Sequence, residues 1–187
     1  INDREAGRMA VQKLIDIGCK KILLLTTMDY LHIGRMRTEG YRDALLSNGM
    51  AYDEELVVKI GELGDSDEEQ RNLEHRINLV FEKHPDIDGI FGVNEIYAVT
   101  ALNAARLRGL KVPQELSVIG FSDGILSKYA RPHLTTVSQH GKVIGKLAAK
   151  TLIERLERDE DTPFITQLVK TELIIRDSTN NSKINLN

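Results

Sequence analysis

The sequence predicts an α/β protein, an open parallel sheet with helices on both faces. Two observations carry that expectation. Apolar strand-like runs alternate with helical patterns, so that neighbouring strands are separated by roughly ten to twenty residues of amphipathic helix, the spacing of βαβ units. The runs are continuously apolar, as in Ile22-Leu23-Leu24-Leu25, which suits strands covered on both faces. A length of 187 residues is enough for one good core and too short for two large independent domains.

In chain order, Ala6, Met9, Ala10, Leu14 and Ile17 share one helical face, with Asp3 as the expected N-cap and Gly18 as the stop. Residues 21–26 form the first strand. A helix over 34–47 turns Met36, Tyr41, Ala44 and Leu45 inward and ends at Asn48-Gly49. Residues 56–60 read as the second strand. The acidic stretch 61–69 leads into a helix carrying Leu73, Ile77, Val80 and Phe81, with Ser66 or Asp67 as its cap. After Pro85 come a strand at 89–93, a helix at 96–108 closed by Gly109, and a strand at 116–121. A short extended piece at 134–137 precedes a long helix at 139–158. Residues 166–176 read as the last strand, and the polar residues 178–187 as a frayed end.

Lys and Arg number 25 and Asp and Glu 28, a formal charge of −3, which argues against this segment gripping nucleic acid by itself. No apolar run approaches the roughly 18 residues needed to cross a bilayer, so no membrane is expected. The lone Cys19 precludes an intramolecular disulfide and fits a reducing compartment or indifference to redox. His32, His75, His84, His133 and His140 lack metal-ligand spacing, and no glycine-rich phosphate loop opens a helix, so neither metal nor cofactor is expected. The chain opens Ile1-Asn2-Asp3 without an initiator Met or an apolar leader, and is expected to be a fragment.

Ligands in open parallel sheets bind beyond the carboxyl ends of the strands. The residues there are Thr27 and Asp29, then Glu62, then Asn94-Glu95, then Ser122-Asp123. Carboxylates and amides with an arginine nearby suit a hydroxyl-rich or partly cationic small molecule. Gly120-Phe121-Ser122-Asp123-Gly124 also matches the G-x-S-x-G nucleophile elbow of serine hydrolases. Between Ser122 and the last histidine, His140, the only acid is Asp123, which adjoins the serine, so the usual order of serine, acid and histidine is not met.

Four stretches resemble one family. Arg37-Thr38-Glu39-Gly40-Tyr41-Arg42-Asp43-Ala44-Leu45 is similar to the R-x-x-G-[FY]-x-x-A-[LM] helix of the lactose-repressor (LacI/GalR-type) transcription regulators. Asn94-Glu95-Ile96-Tyr97-Ala98 resembles their N-D-x-x-A turn. The segment from Gly109 through Val112-Pro113 to Ser117-Val118-Ile119-Gly120-Phe121 is similar to G-x-x-V-P-x-D-[IV]-S-[VL]-[IV]-G-[FY], and Pro132-His133-Leu134-Thr135-Thr136-Val137-Ser138-Gln139 to P-x-L-T-T-[VI]-x-Q.

The resemblance implies an effector-sensing domain of the periplasmic-binding-protein type, two α/β subdomains with a cleft between them. Residues 3–136 would form the C-terminal subdomain, 137–162 a helix of the N-terminal subdomain, 163–177 a return strand and 178–187 a disordered tail, with the DNA-binding headpiece absent. Arg37 is implied to hydrogen-bond ligand oxygens, and it joins Thr27, Asp29, Asn94 and Asp123 from the strand ends as the expected ligand-binding residues. Three positions depart from the family. Ser122 stands for an aspartate, Glu95 for another, and Leu63 for a stacking aromatic, which removes a carboxylate and a stacking surface. The implied partners are a small-molecule effector (a sugar or sugar derivative), a second copy of the chain, and operator DNA through a headpiece not in this chain. The implied location is cytoplasmic. A solute-binding protein of a sugar transporter is the alternative with the same fold. The long helix, with Val143, Ile144, Leu147, Ala148, Thr151, Leu152 and Leu156, is expected to expose an apolar face or bury it in a neighbouring chain.

Overall fold

The computed structural model describes residues 1–61, 67–157 and 163–179. Helix α1 spans Asp3–Asp16, strand β1 Ile22–Thr27, α2 His32–Ser47, β2 Val57–Ile60, α3 Asp67–Lys83, β3 Gly89–Gly92, α4 Glu95–Leu107, β4 Ser117–Phe121, α5 Ile125–Tyr129, β5 Thr135–Ser138, α6 Gly141–Leu156 and β6 Glu172–Ile174. One sheet holds all six strands in the order β2-β1-β3-β4-β5-β6. The first five are parallel, and β6 closes the edge antiparallel to β5, pairing Val137 with Leu173.

That order fixes where the helices lie. The chain moves one way across the sheet from β1 to β2 and the other way from β2 to β3 and from β3 to β4. With right-handed crossovers, α2 therefore covers one face and α3 and α4 the other. Helix α1 packs on α2, and α3 on α4. Strands β1, β3 and β4 are sandwiched between these layers, which explains their unbroken apolar runs: Leu23, Leu24, Leu25, Ile90, Phe91, Val118 and Ile119 are all fully buried. Helices α1 and α4 stop where the sequence places a glycine, and Gly18 and Gly109 take φ of 93° and 75°, a left-handed conformation that side chains disfavour. No helix among the described residues is long and apolar enough to cross a membrane.

The structure corrects four expectations. The cap of α1 is Asn2, whose side chain accepts from the Glu5 N–H, and Asp3 is freed for another task. Thr135–Ser138 supply a full strand, β5, inside the sheet. The last strand is only Glu172–Ile174: residues 163–171 have the apolar content of a strand but pair with no strand among the described residues. Finally, Ser178 and Thr179 are not frayed but completely buried. The caps proposed at Ser66 or Asp67 fall on residues whose side chains lie outside the described part.

Ser178 is a small bolt between strands. Its hydroxyl accepts from the Thr135 N–H at 2.8 Å and donates to the Val118 carbonyl at 2.6 Å. Ser178→Ala removes both of these hydrogen bonds from buried strand backbone, and should cost about 1–2 kcal/mol in chemical denaturation. Next to it, the Asp177 carboxylate accepts from His133 Nδ1 at 2.5 Å, and this hydrogen bond holds its pKa below the ordinary value. The folded carboxyl therefore titrates lower than the unfolded one. Its contribution is present above the unfolded pKa and is lost as pH falls through the folded one. Asp177→Asn should accordingly flatten the acid limb of the stability-versus-pH curve below about pH 4, with no change near neutrality in that limb's slope.

Candidate functional site

The chain leaves β1 toward β2 on one side and β3 toward β4 on the other, although β1 and β3 are neighbours. Divergence at adjacent carboxyl ends opens a crevice, the place where ligands bind in open α/β sheets. A cavity of ≈ 410 Å³ sits there. Thr27 from the end of β1, the first turn of α2 with Ile33 and Gly34, Arg37 one turn later, and Val93-Asn94 after β3 form its wall.

Among the described residues Arg37 is the only guanidinium in that wall, and it is 5% exposed. Its Nε donates to Asp3 Oδ1 at 2.8 Å, and Nη2 lies 2.7 Å from the same oxygen. Nη1 donates to the Val93 carbonyl at 2.6 Å. The guanidinium carbon lies 3.5 Å from the centroid of the Phe121 ring, a cation–π contact. Burial lowers the Arg37 pKa, while the hydrogen bond and charge of Asp3 work the other way. A paired, stacked arginine keeps its charge in a dry setting and still carries unspent N–H donors.

The other expected site residues divide into three groups. Thr27, Arg37 and Asn94 come together at the cavity. Asn94 also caps α4, accepting from the Tyr97 N–H at 2.8 Å, and Thr27 Oγ1 is buried with no hydrogen-bond partner. Glu95, Ser122 and Asp123 lie at the next strand ends but are engaged by the protein. Glu95 accepts from the Ser127 N–H at 2.7 Å and lies so close to Gly124 that a Cβ there would be 2.3 Å from its Oε2. Asp123 takes a charge-assisted hydrogen bond from Arg176, which also donates to the Leu134 carbonyl. Asp29 is exposed and ion-paired with Lys59 at 2.6 Å, away from the cavity wall. Leu63 and Glu62 lie outside the described residues.

Ser122 has φ of 107° and accepts a hydrogen bond from Gln139 Nε2 at 2.8 Å. An amide cannot take the serine proton, so the partner that a nucleophile elbow requires is not the one present. Three partnerships at the site had no signal in the sequence, although Gln139 closes the fourth family-like stretch and Asp3 heads α1. Asp3 and Gln139 are ordinary polar residues until the fold brings them to Arg37 and Ser122. Arg176 reaches Asp123 across 53 positions of chain.

A second, open groove of ≈ 390 Å³ lies where Ile144, Leu147 and Leu152 of α6 face Ile1, Ile165 and Val169. Helix α6 has no buried residue at all, and Leu156 and Phe164 are 77% and 88% exposed.

A family model described as a periplasmic binding protein-like domain matches residues 11–179. The HTH-type transcriptional regulator CelR of Thermobifida fusca is 31% identical over 178 residues, 95% of this chain and 50% of that protein. A probable HTH-type transcriptional repressor ExuR of Bacillus subtilis (strain 168) is 32% identical over 177 residues, 95% of this chain and 51% of that one. Among solved structures, a transcriptional regulator CelR–cellobiose complex matches with a TM-score of 0.84 at 29% identity, covering 95% of this chain and 52% of that chain. A sugar-binding transcriptional regulator of the LacI family from Escherichia coli, complexed with phosphate, matches with a TM-score of 0.81 at 26% identity, covering 95% and 61%. The chain thus spans about half the length of the curated relatives it matches.

Proposed function

We propose, because this chain belongs to the periplasmic binding protein-like domain family in the form carried by LacI-family regulators, that it is the effector-sensing and dimerisation domain of a bacterial DNA-binding transcription regulator. Its effector is a sugar or sugar derivative. The observation that carries this reading is the cavity at the divergence of β1 and β3, walled by Arg37 and the Asn94 turn. Arg37 donates to ligand oxygens, Asn94 and Thr27 add neutral polar groups, and Ser122 supplies a hydroxyl at the neighbouring strand end. The similarity to a regulator solved with cellobiose supports an oligosaccharide-sized ligand. The regulator reading is favoured over a transporter's solute-binding protein by the relatives, which are named as transcriptional regulators.

In this reading the whole protein is cytoplasmic and works as a two-state device. Effector favours one arrangement of the sensing domains, and that arrangement changes how paired headpieces meet their half-sites. Residues 3–136 form one subdomain, and α6 belongs to the other. The exposed face of α6 is where a second copy packs. Sedimentation at increasing concentration should show association, and charged substitutions at Leu152 and Leu156 should abolish it. A strictly monomeric chain would contradict the dimer.

The effector test is a thermal-shift screen of mono- and disaccharides, sugar acids and nucleosides, on the chain extended to the length of its relatives. A ligand at 100 times its Kd adds about 2.7 kcal/mol, a readily measured rise in Tm. The expected result is a sugar hit that vanishes in Asn94→Ala. A nucleoside hit, or none across the panel, would contradict the sugar assignment.

A further inference from the structure

Helices α1 and α2 touch backbone to backbone. A Cβ on Gly40 would lie 2.1 Å from the Arg4 carbonyl oxygen, and one on Gly7 would lie 2.7 Å from the Arg37 carbonyl oxygen. With no side chain at either position, the first turn of α1 lies directly over the middle of α2. That close crossing brings the Asp3 carboxylate onto the Nε edge of Arg37, at 2.8 Å from Nε and 2.7 Å from Nη2. The Val93 carbonyl fixes Nη1 at 2.6 Å, and the Phe121 ring fixes one face at 3.5 Å.

Arginine is flexible, with many rotamers to lose on ordering. Here the loss is taken during folding, by three contacts from three different elements. A guanidinium has five N–H groups, and these contacts engage no more than three of them.

We infer that Asp3 is a positioning residue of the effector site: it fixes Arg37 so that the unspent guanidinium N–H groups are presented to the cavity before any ligand arrives. The inference rests on the effector-sensing reading and deepens it, since preorganisation of a donor raises affinity without adding a contact. Asp3 itself does not line the cavity. The simpler role for Asp3 is that of an acid in the first turn of α1, which favours the helix through its dipole and does nothing to Arg37.

The two roles separate in the side-chain nitrogen–proton spectrum of the full chain, with the Arg37 Nε–Hε signal assigned by its disappearance in Arg37→Lys. A group held against an aromatic face and bonded to a carboxylate is shifted from its ordinary position and exchanges slowly with water. In Asp3→Ala the Arg37 signal is expected to return to its ordinary position and to exchange about tenfold faster or more, while the β-sheet amides stay in place. Asp3→Asn keeps an acceptor without the charge and should fall between, which also covers the case in which the alanine variant folds poorly. A lowered Tm with an unmoved, slowly exchanging Arg37 signal in both variants would overturn the inference and leave Asp3 as a helix-start acid.

Cellobiose serves as the binding probe. Its Kd should rise about tenfold in Asp3→Ala, and an unchanged Kd would also overturn the inference. If the parent chain fails to bind cellobiose, that result counts against this disaccharide as its effector, while the Arg37 signal still decides the role of Asp3.

Discussion

Replacing Arg37 with alanine is expected to destabilise the protein by about 3–5 kcal/mol, the cost of breaking a buried ion pair from one side. The structure says which groups are stranded. Asp3 keeps a carboxylate whose side chain is 17% exposed, and the Val93 carbonyl loses its donor inside the core. Phe121 loses the cation that covers its ring. The partial exposure of Asp3 lets water take up some of the charge, which places the loss toward the lower end of that range. Urea denaturation of parent and variant measures it directly. The double variant Asp3→Asn with Arg37→Met should be more stable than Arg37→Ala, because the stranded charge is gone and the volume is largely refilled. If Arg37→Ala costs under 1 kcal/mol, Arg37 is a loosely held surface group and the description of the site is wrong.

The second large effect is expected at Gly40. Its missing side chain is the condition for the α1–α2 crossing, and the atoms in the way of a methyl group are backbone: the Arg4 carbonyl oxygen at 2.1 Å, Arg8 N at 2.6 Å and Gly7 C at 3.0 Å. None of these can swing aside as the end of a side chain could. Gly40→Ala should therefore force α1 away from α2, opening the Arg4–Asp43 ion pair and withdrawing Asp3 from Arg37. Overpacking of this kind costs about 1–3 kcal/mol, and rigid obstructing atoms put this case at the top of the range. Gly145 supplies the contrast within the same molecule. It lies inside α6 with nothing within 4 Å of an added Cβ. Gly145→Ala should stabilise by about 0.4–1 kcal/mol through helix propensity and the unfolded chain. Equal effects at the two glycines in thermal or chemical denaturation would contradict the close crossing.

Much of this architecture was readable from local pattern. Continuous runs such as Ile22–Leu25 report burial on both faces, and glycine at 18, 49 and 109 reports where helices stop. The parallel core followed from their alternation, and with it the strand ends at which to look for a site. Partnership was not readable. Asp3 meets Arg37 across 34 positions only because two glycines let their helices touch. Glu95 and Asp123 have the composition of ligand-binding carboxylates, yet each already holds the protein together, through the Ser127 N–H and through Arg176. Residues 163–171 look like a strand because composition reports apolar content, whereas a strand also needs a neighbour to bond with. Ser178 and Thr179 look like tail because hydroxyls are common at surfaces. Here they satisfy strand backbone and the Thr135 side chain.

The central claim is that the effector is held where β1 and β3 diverge, and amide chemical-shift mapping during titration with the sugar found in the screen tests it most directly. The account predicts that Thr27, Gly34, Arg37, Asn94 and Ser122 move together and saturate with one Kd, while the amides of α6 and of 163–169 respond weakly. Shifts centred on α6 and 163–169, with the β1–β3 crevice unmoved, would contradict it.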